Sequence, residues 1–187
     1  MTIKRVFKRA HLRAPLKVDL LYVDDEYVHA GRTLNISEGG ILLDYMPKVP
    51  EIRALPIMLP IVLFPDFTAM SHQELLQLHE SQMEKHVMRF RARMVRSFEG
   101  MTDLEKIFVT RIGCEFVKPD VIQQKVIADY VAMYARNIVF VLGLFQQGQS
   151  AIELLRHTAG LLGYNPNEKL NMLRLKVLHD YQSLESA

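Results

Sequence analysis

Two groups of side chains in this sequence have the types and spacing to do chemistry on an anion. The first is Arg9-Ala10-His11-Leu12-Arg13, two arginines four apart, and Arg5 with Arg9 repeats the interval. A guanidinium forks onto phosphate oxygens and also stacks on purine faces. The second is Asn35-Ile36-Ser37-Glu38-Gly39-Gly40, a short polar turn between apolar stretches. An Asn amide and a Ser hydroxyl hydrogen-bond base edges, and glycines let the backbone turn with positive φ and approach a ligand closely. Together they suit a nucleotide. Singly each is weak: an arginine pair in a basic arm is commonly a solvated face, and Asn-x-Ser-x-Gly-Gly is commonly a hairpin turn.

The charge distribution points the same way. The 187 residues carry 23 Lys and Arg against 21 Asp and Glu, a net charge of +2 that by itself argues against an anionic partner. The positions of the charges argue the opposite. Lys4, Arg5, Lys8, Arg9, Arg13 and Lys17 all fall within the first 19 residues, and Asp19 is the first acidic one, so the remainder is net acidic. A basic arm on an acidic body points to an anionic partner for the arm.

Much chemistry is excluded. Cys114 is the only cysteine, so neither an intrachain disulfide nor a thiolate zinc site can form. No apolar region follows the basic N-terminus as a signal peptide requires. The longest apolar runs, Ala54–Phe64 and Ile138–Phe145, fall short of the roughly 18 residues of a membrane span. A cytoplasmic protein without a membrane span is expected. Zinc-ligating histidine pairs, a nucleophile elbow and a phosphate loop ending in Lys-Ser or Lys-Thr are absent, so an enzyme is not expected.

The elements that must position the two groups can be read from periodicity. Val18–Val23, Gly31–Asn35, Ile41–Leu43, Ile57–Phe64, Val87–Phe98 and Lys106–Val117 read as strands, with Pro60 marking an edge position or a break. Ser71-His72-Gln73-Glu74 is a capping box that predicts a helix over Ser71–Lys85. From Pro119 onward the pattern is helical. Ile127, Val131, Tyr134, Ile138, Val141 and Phe145 recur at intervals of four and three, ending near Gly148. Ser150 with Glu153 predicts a second helix stopped at Gly163, and Asn165, Pro166 and Glu168 predict the start of a third.

In this order and at this distance, the two groups resemble the PilZ family of bacterial cyclic di-GMP receptors, marked by RxxxR and [D/N]xSxxG. Arg9 and Arg13 match the first motif; Asn35, Ser37 and Gly40 match the second. Arg13–Val18, Phe90–Arg96 and Ile112–Val117 are similar to further strands of the family, so the resemblance spans roughly Arg5–Lys118. It implies a mainly β fold with added helices: a six-stranded antiparallel β-barrel domain over 1–118 with a helical insert at about 66–86. A C-terminal helical extension would follow over 119–187. It also implies roles. Arg9 and Arg13 would hold phosphate and stack on guanine, Asn35 and Ser37 would hydrogen-bond guanine, and Gly40 would shape the turn. Lys8 and Gly39 are further candidates. Cyclic di-GMP would be a ligand that orders the arm, with no cofactor and no metal.

Blander readings stand beside these. His72, His79 and His86 recur every seven residues, about 10 Å apart on a helix, which suits a polar stripe better than a metal site. Arg89, Arg91 and Arg93 alternate on one strand face, as a solvated face or as an extension of the anion surface. Cys114 reads as a buried thiol. The stripe on the 120–147 helix either forms a homo-oligomer or packs within the chain. The resemblance implies an unidentified effector protein and an output in motility, polysaccharide and biofilm, or virulence. The alternative is a PilZ-like protein–protein adaptor acting through its helical extension without nucleotide control. Nucleic-acid binding is disfavoured, because beyond Phe7 the arm offers no aromatic stacking platform.

Overall fold

The computed structural model describes residues 10–44, 46, 49–50, 54–101 and 108–185. Lys8 and Arg9 lie outside the described residues. Seven strands are present among them: β1 (Ala14–Pro15), β2 (Asp19–Asp24), β3 (Tyr27–Ser37), β4 (Gly40–Asp44), β5 (Ala54–Leu63), β6 (Glu84–Met101) and β7 (Phe108–Phe116). β2, β5, β6, β7, β4 and β3 pair antiparallel in a ring, since β3 meets β2 on one part of its length and β4 on another. The six-stranded antiparallel barrel is therefore closed, and β1 is an extra strand on β3. Four helices complete the described residues: α1 (His72–Gln77), α2 (Val121–Leu144), α3 (Ile152–Leu161) and α4 (Leu170–Glu185).

The chain divides into two compact units. One comprises Pro15–Leu63 and Glu84–Tyr130, which is the barrel with the first turns of α2. Its core follows from strict alternation. Leu20, Tyr22, Ile36, Ile41, Leu43, Leu55, Ile57, Leu59, Phe90, Ala92 and Ile112 are all buried, and most of their sequence neighbours face out. Asp25 and Glu26 both adopt positive φ (49° and 68°), making the two-residue β2–β3 hairpin loop whose twist matches its strands. The Tyr130 hydroxyl donates to Pro15 O at 2.5 Å and Gln123 Nε2 donates to Arg89 O at 2.6 Å, fastening the start of α2 to the barrel. Asp120 and Gln123 form the expected reciprocal cap at 2.8 and 2.9 Å.

The other unit comprises Met1–Ala14, Phe64–Met83 and Val131–Ala187. Here Val131, Tyr134, Ile138, Val141 and Leu144 of α2 are buried with Leu154, Leu155 and Ala159 of α3 and Leu173, Val177 and Leu184 of α4. Of the stripe seen in the sequence, Val131, Tyr134, Ile138 and Val141 are buried here, while Phe145 is half-buried and its neighbour Leu144 is buried instead. By length and mean hydropathy (1.4), α2 is the one helix among the described residues that could cross a bilayer. Its polar residues show a different use. Asn137 is fully buried, accepting from Phe67 N–H at 3.0 Å and donating to Pro65 O at 2.8 Å, and Arg136 pairs with Asp66 at 2.5 Å. The Tyr134 hydroxyl meets the Tyr164 hydroxyl at 3.0 Å, which donates to Asp180 at 2.9 Å. Burial, with Tyr164 and Asp180 beside it, raises the Tyr134 phenol well above its ordinary pKa.

Several local expectations are corrected. The Ser71–Glu74 capping box forms, at 2.7 and 3.3 Å, but the helix behind it ends at Gln77. Glu84, Lys85 and His86 instead pair with Leu63, Val62 and Ile61, because the end of β5 needs a partner strand. The histidines at 72, 79 and 86 therefore do not share a helix, and no group of three metal-ligating side chains occurs among the described residues. Pro60 does not break β5; it lies beyond the short β2 contact, where only β6 pairs with the strand. The Ser150 hydroxyl donates back to Gln147 O, and α3 starts at Ile152 after a 3₁₀ turn. Pro166 sits in a turn closed by Asn165 Oδ1, so α4 begins at Leu170. Gly163, with φ +89°, follows α3 as expected.

Asn137→Ala should lower stability by about 2–4 kcal/mol, since it strands a buried N–H and a carbonyl together. Urea unfolding checks this, and an unchanged midpoint would show that water replaces the amide.

Candidate functional site

The polar turn is built where the barrel closes. Ser37 ends β3, Gly40 begins β4, and Glu38 and Gly39 form the turn between them. The Ser37 hydroxyl donates to Gly40 O at 3.3 Å, and Gly39 O accepts from Phe116 N–H at 3.2 Å. Gly40 is sterically required: a Cβ there would collide with the Cys114 carbonyl oxygen and sit 3.0 Å from Glu115 Cα. Asn35 is half-buried, and its side chain makes no hydrogen bond with the described residues. The structure thus brings Asn35, Ser37, Gly39 and Gly40 together in one hairpin end.

The register carries this end across the outer barrel face. Ser37 pairs with Gly40, Gly40 with Glu115, and Glu115 with Arg93. One row over, Asn35 pairs with Leu42, Leu42 with Gly113, and Gly113 with Arg96. Register shifts at Thr33/Asn35 and Met94/Arg96 flank this second row, as bulges do where a barrel re-aims side chains. Gly40 and Gly113 leave a low floor in the middle. Arg96 lies over part of it, since a Cβ at Gly113 would come within 3.0 Å of its Cγ and 3.1 Å of its Nε. Arg93 is held by Glu115, with Nε 2.5 Å from Oε1 and Nη2 on the same oxygen, while 63% of its side chain stays exposed. Three strand spacings, about 14 Å, separate the Asn35–Ser37 end from the arginines.

Arg93, one of the three alternating arginines, and Arg96, which spacing along the chain did not single out, lie on the same outer face as the motif. Arg89, Arg91 and Arg93 are exposed on one face while Met88, Phe90 and Ala92 point inward, as alternation implied. The bulge at Val95 returns Arg96 to the outer face, and only the register reveals it. Cys114 points inward from the same sheet. Burial pushes its thiol up to about 12, so it stays protonated at neutral pH and takes no part in the face.

Thr33 anchors the chain that enters the barrel. It is buried at 1% exposure, its hydroxyl donates to Leu16 O, and its N–H donates to Val18 O at 2.9 Å. Val18 N–H donates to Thr33 Oγ1 at 3.1 Å, and Leu16 N–H donates to Leu34 O at 3.1 Å. One side chain therefore ties the entry segment Leu16–Val18 to β3. Arg13, half-buried, belongs to the other compact unit, where its N–H donates to Leu184 O at 3.3 Å.

A closed six-stranded antiparallel barrel with an Asn-x-Ser-x-x-Gly hairpin on its rim defines a small β-barrel module that presents polar groups outward. The family model of the PilZ domain matches residues 7–133, more than half of the chain, and the chain belongs to this family. Among solved structures, it is similar to the inhibitor of motility (MotI/DgrA) of Bacillus subtilis. Identity is 15% and the TM-score 0.45, over 68% of this chain and 50% of that one, so this chain spans half the length of that protein. It is also similar to the PilZ domain of YcgR from Escherichia coli, solved with c-di-GMP (14% identity, TM-score 0.45, 67% and 90% of the two chains). A third is PlzA of Borreliella burgdorferi in complex with c-di-GMP (10% identity, TM-score 0.39, 73% and 53%). No curated protein matches the sequence.

Thr33→Val keeps the shape of the side chain and removes its hydroxyl. It should cost about 1–3 kcal/mol, because buried groups at Leu16 and Val18 lose their partner. Thermal or urea unfolding checks this, and wild-type stability would show that the backbone alone holds the entry strand.

Proposed function

We propose that the protein is a cyclic di-GMP receptor and a binding module without catalysis. The observation that carries the reading is the complete motif pair, Arg9 and Arg13 with Asn35, Ser37 and Gly40, in a chain that the PilZ model matches. The ligand chemistry fits the residue types. A cyclic dinucleotide presents two phosphates and two guanines: the arginines of the arm neutralise the first and stack on the second. The Asn35 amide and Ser37 hydroxyl suit the polar edge of a guanine. The glycine floor admits a planar base, and Arg93 and Arg96 offer donors at its far side.

Thr33 supports the same reading. It fixes Leu16 beside Leu34, and Arg13 is only three residues upstream, so the covalent tether spans about 10 Å at full extension. The arm's charge then serves as a switch: a dianion offsets it, and the ordered arm forms a new surface. A PilZ-like adaptor that ignores nucleotides is the outcome if the ligand is refused.

Titration calorimetry with cyclic di-GMP tests the proposal. Wild type should bind, and Arg9→Ala and Arg13→Ala should each weaken binding at least about tenfold, the loss of one charge-assisted phosphate contact. Asn35→Ala should weaken it less. Equal affinities in wild type and both arginine variants would refute the site, and absence of binding by wild type would refute the receptor.

A further inference from the structure

Glu115 puts a carboxylate on the face proposed above for a dianion. It is the one acidic residue of β7, and its cross-strand neighbours are Gly40 on one side and Arg93 on the other. Its side chain is 41% exposed, and Gly40 brings no side chain between it and the polar hairpin. A carboxylate here repels phosphate. An exposed ion pair adds little to folding, so its bond to Arg93 is a weak structural reason for it.

The pair is asymmetric. Both Arg93 contacts, from Nε and Nη2, fall on Glu115 Oε1. Glu115 Oε2 and Arg93 Nη1 make no hydrogen bond with the described residues. The two side chains therefore offer a free acceptor beside a free donor, and each fixes the position of the other. A carboxylate only accepts and a guanidinium only donates, so neither polarity can adapt to what approaches.

That polarity matches one purine and opposes the other. On guanine, O6 accepts and the adjacent N1–H donates. On adenine, the corresponding N6 donates and N1 accepts. We infer that the Arg93–Glu115 pair selects guanine over adenine: Arg93 donates to O6 of one base of the ligand, and Glu115 Oε2 accepts from its N1–H. The inference rests on the receptor reading above and adds base specificity to it. An adenine in the same place would set donor against donor and acceptor against acceptor, which a site built for guanine rejects strongly.

Calorimetric titration of the full chain with cyclic di-GMP and with cyclic di-AMP, in wild type and Glu115→Gln, tests this. The amide keeps the shape of the side chain and an oxygen for Arg93, and it turns the free acceptor into a donor. The variant should bind cyclic di-GMP at least about tenfold more weakly, and cyclic di-AMP more tightly, than wild type does. Movement in opposite directions is the signature of base selection. Loss of both ligands would show that Glu115 only positions Arg93, and gain of both that it only repels phosphate. Either result overturns the inference and leaves the receptor reading standing, as does a variant with unchanged cyclic di-GMP affinity or no gain for cyclic di-AMP. A wild-type protein that fails to bind cyclic di-GMP would overturn the receptor reading and the inference with it.

Discussion

β4 is a strand of five residues held on both sides, by β3 through Arg32–Ser37 and by β7 through Ile112–Glu115. Without it the sheet would present two open edges, at β3 and β7, each a row of unpaired backbone groups. Closure demands a close approach at the start of the strand, which Gly40 alone permits, because any Cβ there meets the Cys114 backbone. The same five residues set the two outward rows, so the polar turn, the glycine floor and the arginines of β6 all depend on one short strand.

Most of the barrel was legible because alternation survives burial. In β6, Met88, Phe90 and Ala92 point inward while Val87, Arg89 and Arg91 point outward, and period two alone predicts that pattern. The motif residues Asn35, Ser37 and Gly40 were legible as types in a fixed order. The insert was legible at its start, where the Ser71–Glu74 cap and α1 form, but not in its extent, because Glu84–His86 pair with the end of β5. Pro166 looked like a first helical residue, yet the Asn165 side chain closes a turn around it first. Arg96 and Gly113 were out of reach for a different reason. Their juxtaposition depends on a bulge in β6 and on cross-strand register, neither of which is written in spacing along one strand.

The two compact units divide the labour. The barrel unit holds the hairpin motif, the glycine floor and Arg93 with Arg96. The helical unit holds the end of the arm, the buried stripe of α2 and the network of Tyr134, Tyr164 and Asp180. Within the helical unit, the Arg13 N–H donates to Leu184 O. The net charge of +2 conceals the position of the charges by averaging a basic arm with an acidic body.

The central claim is that the ligand lies on the outer face between the Asn35–Gly40 hairpin and the arginines of β6. Amide chemical shifts recorded during a cyclic di-GMP titration test it most directly. The largest changes are expected at residues 10–13, 35–40, 93–96 and 113–115, moving together with one saturation curve. Saturable binding whose shifts spare the hairpin and the Gly113–Glu115 strand would contradict it.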